Sequence, residues 1–139
     1  MTTELWYLFA TAVLLAVLWI PYVIGLGSSM GPLQSDEYRT LRDTQSVPYW
    51  VKRANRAHVN LVEQFGAFAA LIVIAHLAKV STSLTVFAAA AYFWLRLAHA
   101  LVFLAGWGFL MIRTVIFSLS FLSILVLAWE IATKAGAPN

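Results

Sequence analysis

Cysteine is absent from the 139 residues. That excludes a disulfide scaffold, cysteine-ligated zinc and any thiol nucleophile supplied by the protein itself. Charge is scarce too: only 11% of residues are Asp, Glu, Lys or Arg, where an ordinary soluble domain carries about 25%. Gly-rich phosphate loops, a nucleophile elbow and a carboxylate dyad for hydrolysis are all missing, as are internal repeats and low-complexity segments. What fills the chain is apolar. Hydrophobic residues make up 62%, well above the roughly 45–50% of a water-facing globule. At roughly 30–45 residues for each apolar segment and its connection, the length accommodates four membrane spans and no second domain. The net charge of +3 is not a nucleic-acid signature, because the basic residues flank apolar spans.

The pattern predicts an all-α integral membrane protein: one four-helix transmembrane bundle over residues 1–139, with helices about 5–26, 48–79, 83–105 and 110–133. An acidic start and an overlong apolar stretch argue against reading the first segment as a cleaved signal peptide. Pro21 kinks or ends the first helix. Residues 27–47 form the one long polar connection. Pro48 suits the opening of the second helix, and 81–83 form a turn with an N-cap for the third. Gly106-Trp107-Gly108 breaks the chain before the fourth, and an irregular tail ends it. Arg39, Arg42, Lys52, Arg53, Arg56 and Arg113 cluster at the first and third connections, with only Lys79 and Lys134 opposite. By the positive-inside rule those two connections are cytoplasmic and both termini face outward. Trp6, Trp50, Trp107 and Trp129 fall near helix ends, where an aromatic belt belongs.

Ionisable groups inside spans are rare and usually face a bundle interior. On the second helix Arg53, Arg56, Asn60 and Glu63 share one stripe, spaced i, i+3, i+7 and i+10. Arg96 and His99 are an i, i+3 pair on the third helix, and Arg113 opens the fourth. Antiparallel topology brings all of these to similar depths in one leaflet, and Glu63 and Arg96 are candidates for an ion pair. Each position also has a plainer use. Arg53 and Arg56 can snorkel to head groups, Asn60 can bridge helices, and Glu63 with Arg96 can be a purely structural tie. His99 can simply be packed, and Arg113 can anchor the cytoplasmic side. Together, however, they exceed what anchoring needs and suggest a cationic pocket for an anionic ligand. His58 and His76 lack a second ligand at useful spacing, so no metal site is expected. Glu130 and Lys134 read as an i, i+4 surface pair, and the charges of 36–43 as solvated loop.

The run Arg56-Ala57-His58-Val59-Asn60-Leu61-Val62-Glu63 resembles the R-A-x-x-N-x-x-E signature that opens the second helix in the MAPEG family, the membrane-associated proteins in eicosanoid and glutathione metabolism. Arg96-Leu97-Ala98-His99 resembles the R-x-x-H of several members, and Ile112-Arg113-Thr114-Val115 is similar to the arginine segment opening the fourth helix. The resemblance covers nearly the whole chain and is nearest to small bacterial members, which implies the bacterial inner membrane. It also implies a homotrimer with glutathione between neighbouring subunits near the cytoplasmic leaflet. Carried over by motif, Arg56, Asn60 and Glu63 would hold the carboxylates and amine of glutathione. Arg96 and His99 would support that site, and Arg113 would stabilise the thiolate. Two departures stand out: Phe103 and Phe117 occupy positions where catalytic relatives commonly carry tyrosine. The spacing from Arg96 to Arg113 is also about one residue longer than in some relatives.

Three functions compete. The first is a glutathione-dependent transferase or peroxidase acting on lipophilic electrophiles or lipid hydroperoxides, with membrane lipid and a small lipophilic substrate as partners. The second is a non-catalytic lipid-binding or partner-presenting protein, which Phe103 and Phe117 favour. The third, a transporter or channel subunit, would need a polar path through both leaflets, and the outer half offers little beyond His76 and small residues.

Overall fold

The computed structural model describes residues 1–40 and 42–135 of the chain; the tail at 136–139, expected to be irregular, lies outside them. Five α-helices make four membrane crossings: α1 (Thr3–Leu18), α2 (Ile20–Met30), α3 (Tyr49–Leu77), α4 (Ser83–Ala105) and α5 (Ile112–Lys134). Each of the four spans, Thr3–Met30, Tyr49–Leu77, Ser83–Ala105 and Ile112–Lys134, has the length and hydropathy to cross a bilayer. Even the shorter ones, of 23 residues, reach about 35 Å at ~1.5 Å per residue, enough for a hydrocarbon core of about 30 Å.

The ends follow local chemistry. Pro21, in the first turn of α2, has no N–H to continue the ladder, so the first span is interrupted at Trp19 rather than ended. It then outruns the expected boundary at 26 and stops at Met30, where Ser28 Oγ donates to the Gly25 carbonyl at 3.1 Å. Thr82 caps α4 reciprocally with Thr85: Thr85 N–H donates to Thr82 Oγ1 at 3.2 Å and Thr82 N–H to Thr85 Oγ1 at 2.9 Å. The fourth span starts two residues later than expected because Phe109–Met111 form a 3₁₀ turn and Met111 is left-handed, with φ 52°.

Helices α3 and α4 pack against each other and each against both α1 and α5, with α2 lying along α3. One core cluster joins Phe68, Ile72, Ala88, Ala89, Tyr92, Ile124 and Leu127; a second joins Leu18, Ala57, Leu61 and Ala100. Alanine recurs where helices cross because small side chains let backbones approach, which is where membrane helices gain contact. Gly25 is the extreme case: a Cβ there would lie 2.6 Å from Trp50 Cη2 and 2.7 Å from Val51 Cγ2. The outer surface is lined with exposed Trp6, Phe9, Ile24, Phe87, Trp94 and Trp129, as lipid contact requires.

The connection between α2 and α3 is more ordered than its composition suggested. Arg42 grips Glu37 with a fork, Nε to Oε1 at 2.8 Å and Nη2 to Oε2 at 2.9 Å. The same guanidinium donates to the Gly31 and Pro32 carbonyls at 3.0 and 2.9 Å. These charges are therefore a clasp on the end of α2, not merely solvated loop.

Candidate functional site

At one end of the bundle the first turns of α3, the last turns of α4 and the start of α5 border a shallow, open pocket of about 260 Å³. Its lining is Arg56, Asn60, His99, Phe103, Arg113, Thr114 and Phe117. The i, i+4 spacing of Arg56 and Asn60 puts both on the face of α3 turned toward the cavity, one above the other. Asn60 is held by its own helix, Nδ2 donating to the Arg56 carbonyl at 2.9 Å. His99 enters from α4, buried, with Phe103 edge-on at 4.9 Å and Phe117 at 6.1 Å between ring centroids.

Arg113 is fixed from two sides. Its Nε donates to the Trp107 carbonyl at 2.9 Å, and its guanidinium carbon lies 4.7 Å from the centre of the Phe103 ring. That contact is a cation–π stack, worth about 0.5–2 kcal/mol depending on how far the charge is desolvated. Phenylalanine at 103 thus gives up a hydroxyl but keeps the flat surface that orients the arginine. Thr114, which the sequence reading passed over, adds a hydroxyl-bearing side chain to the lining. Its only signal was its place directly after Arg113.

Two of the six candidate residues stand apart from this lining. Glu63 is exposed on the outside of α3. Arg96 is 2% exposed and lies behind the cavity, its Nη2 donating to the Asn60 carbonyl and its Nη1 reaching Ser120 Oγ at 3.5 Å. The rings of Phe117 and Tyr92 lie 5.6 and 5.9 Å from its guanidinium carbon. The expected Glu63–Arg96 ion pair does not form: among the described residues the one ion pair is Arg42–Glu37. Arg96 instead satisfies its donors on carbonyl and hydroxyl oxygen, and so ties α3, α4 and α5 together beneath the site. Arg53 is part-exposed beside the turn that follows α4. Its guanidinium lies against Gly106, where a Cβ would come within 2.9 Å of the Arg53 Cζ, and its Nε is buried without a hydrogen-bond partner.

The other polar end also departs from expectation. Glu130 is buried and accepts from Thr82 Oγ1 at 3.0 Å instead of pairing with Lys134 on the surface.

An apolar bundle of four candidate membrane spans with a cationic, aromatic-backed pocket at one end defines an integral membrane protein. A sequence model described as the MAPEG family matches residues 3–133, and the chain belongs to that family. No curated protein and no solved structure matches the chain.

Proposed function

We propose that this protein is a glutathione-dependent membrane transferase or peroxidase acting on lipophilic electrophiles or lipid hydroperoxides. The observation that carries the reading is the convergence of Arg56, Asn60, His99 and Arg113 on one cavity, in a chain belonging to a family named for glutathione metabolism. Glutathione is an anionic peptide, and arginine forks suit its carboxylates. In this reading Arg56 and Asn60 bind the peptide, His99 and Arg96 support the site, and Arg113 stabilises the thiolate. A guanidinium beside a thiol lowers its pKa and raises the thiolate fraction. The thiol proton leaves to solvent, and the sulfur lone pair forms an S–C bond as the leaving group departs with its electron pair. With a hydroperoxide, an S–O bond forms while the O–O bond breaks. The alcohol then leaves, and a second glutathione reduces the sulfenic acid to disulfide and water.

Glu63, exposed on α3, takes part in this reading by meeting the peptide's amine at the boundary with a neighbouring subunit. The whole chain is then a single four-helix domain, assembled as a homotrimer in a bacterial inner membrane with both termini outward. Calorimetric titration of detergent-purified protein with glutathione tests the reading. Saturable binding is expected for the wild type and not for Arg56→Ala or Glu63→Ala. Arg113→Ala should retain binding but lose turnover by about 10²–10³-fold, the usual effect of removing one charge-stabilising donor. A wild-type protein that does not bind millimolar glutathione contradicts the proposal.

A second reading, a non-catalytic lipid-binding protein, is favoured by Phe103 and Phe117 and by an apolar groove of about 240 Å³ along α4 and α5, lined by Phe87, Leu95, Leu122 and Val126. It predicts co-purifying lipid and no turnover.

A further inference from the structure

At the opposite end of the bundle, the start of α1 meets the turn between α3 and α4. A cavity of about 280 Å³ opens there, lined by Thr2, Glu4, His76, Lys79 and Ser81 over an apolar floor that includes Ile72. Glu4 is only 3% exposed. One carboxylate oxygen, Oε1, accepts from Thr85 Oγ1 at 2.7 Å and Ser81 Oγ at 2.8 Å. The other, Oε2, is buried with no hydrogen-bond partner. A buried acceptor left unpaired costs about 1–3 kcal/mol, and more when charged, so the arrangement calls for a donor. The protein's own nearby cation does not supply it, since Lys79 forms no ion pair with Glu4. Lys79 and His76 are instead exposed at the rim.

The cavity is thus acidic within and basic at its mouth. That polarity selects a zwitterion entering with its cationic end first. Oε2 is enclosed where it stands, so it meets a ligand only when the Glu4 carboxylate turns it to the cavity; the inner end must then donate hydrogen bonds, which a primary ammonium does and a quaternary ammonium does not. A hard metal ion is a poorer occupant, because no three His, Cys, Asp or Glu side chains come together among the described residues. The anionic end must accept from an ammonium and an imidazole N–H, as a phosphate does. One water needs roughly 10–15 Å³ of such cavity space, so the cavity has room for a head group of several heavy atoms. The turn joining two spans also lies at the bilayer boundary, where lipid head groups are.

We propose that this cavity is a binding site for a phosphate-linked primary ammonium, the phosphoethanolamine group, its ammonium donating to Glu4 and its phosphate held by Lys79 and His76. The test uses the full chain in detergent, titrated by native mass spectrometry with short-chain phosphatidylethanolamine, the matching phosphatidylcholine, and soluble phosphoethanolamine as competitor. Wild type should prefer the ethanolamine lipid by about tenfold or more, the scale of one charge-assisted bond. Glu4→Gln should erase that preference, and circular dichroism should show the helices intact. The exposed Lys79→Asn, which keeps a residue tolerant of the φ of 55° at this position, should weaken the ethanolamine lipid by about tenfold. Competition by soluble phosphoethanolamine would assign the site to the head group alone; lipid binding without competition would assign it to the membrane lipid. Equal binding of the two lipids by wild type, or unchanged binding by Lys79→Asn, overturns the proposal.

Discussion

Arg96 and Arg113 show how one residue type takes two jobs according to depth. Arg113 stands at the cavity with its guanidinium stacked on Phe103, available to an anion. Arg96 is enclosed and spends its donors on the Asn60 carbonyl and Ser120. Truncating such a group leaves both a void and unpaired oxygen atoms. Arg96→Ala should therefore lower stability by about 2–4 kcal/mol, read as earlier thermal unfolding in detergent. Arg96→Met, which refills the volume, should recover much of the loss, since buried charges are often replaceable by apolar groups of similar size. Equal damage from both variants would show that the guanidinium's hydrogen bonds and charge, not the volume it fills, are what matter. Among these residues the sequence suggested a Glu63–Arg96 ion pair that the structure does not form. Glu63 and Arg96 looked like a pair because both needed compensation, yet backbone carbonyls and a hydroxyl supplied it, and such acceptors carry no signature in the sequence.

Two joints between elements rest on single residues. The turn after α4 brings Gly106, at φ 77°, against the guanidinium of Arg53. Gly106→Ala should destabilise by about 1–2 kcal/mol from the left-handed backbone alone, with a further loss from crowding Arg53. In an Arg53→Ala background the crowding part should vanish, so a double-mutant cycle should give a non-zero coupling energy. Additive single effects would place Arg53 elsewhere. The loop between α2 and α3 is pinned by Arg42. The hydrogen bond from Arg42, and after it the Gln34 N–H, hold the Glu37 carboxyl below the usual carboxylate range. A depressed folded-state pKa means the stabilisation is complete above that ordinary range and is lost as pH falls through the lowered value. Amide exchange at 31–42, corrected for intrinsic rates, should accelerate below about pH 4 and not between pH 6 and 8. Arg42→Ala should show the fast rate at every pH.

For the whole molecule, mass is the decisive observable. A homotrimer predicts that light scattering, with detergent subtracted, gives three chains per particle; a one-chain mass with full glutathione binding would show that a site within one subunit suffices. Sequence alone determined that the chain has four segments long and apolar enough to cross a membrane. Burying about twenty apolar residues per span is a property of composition and length, and lipid satisfies it without any particular partner. It also put Arg56 and Asn60 on one helix face, because helical periodicity fixes angular position, and the structure brings both to one pocket with His99 and Arg113. Tertiary structure decided the rest. Which polar groups meet depends on helix depth and rotation to within a few ångströms, and neither periodicity nor charge counting reaches that scale. So Glu130 turned inward to Thr82, and Glu4, legible only as an acidic start, became a buried carboxylate because Ser81 of the turn and Thr85 in the first turn of α4 fold hydroxyls over it.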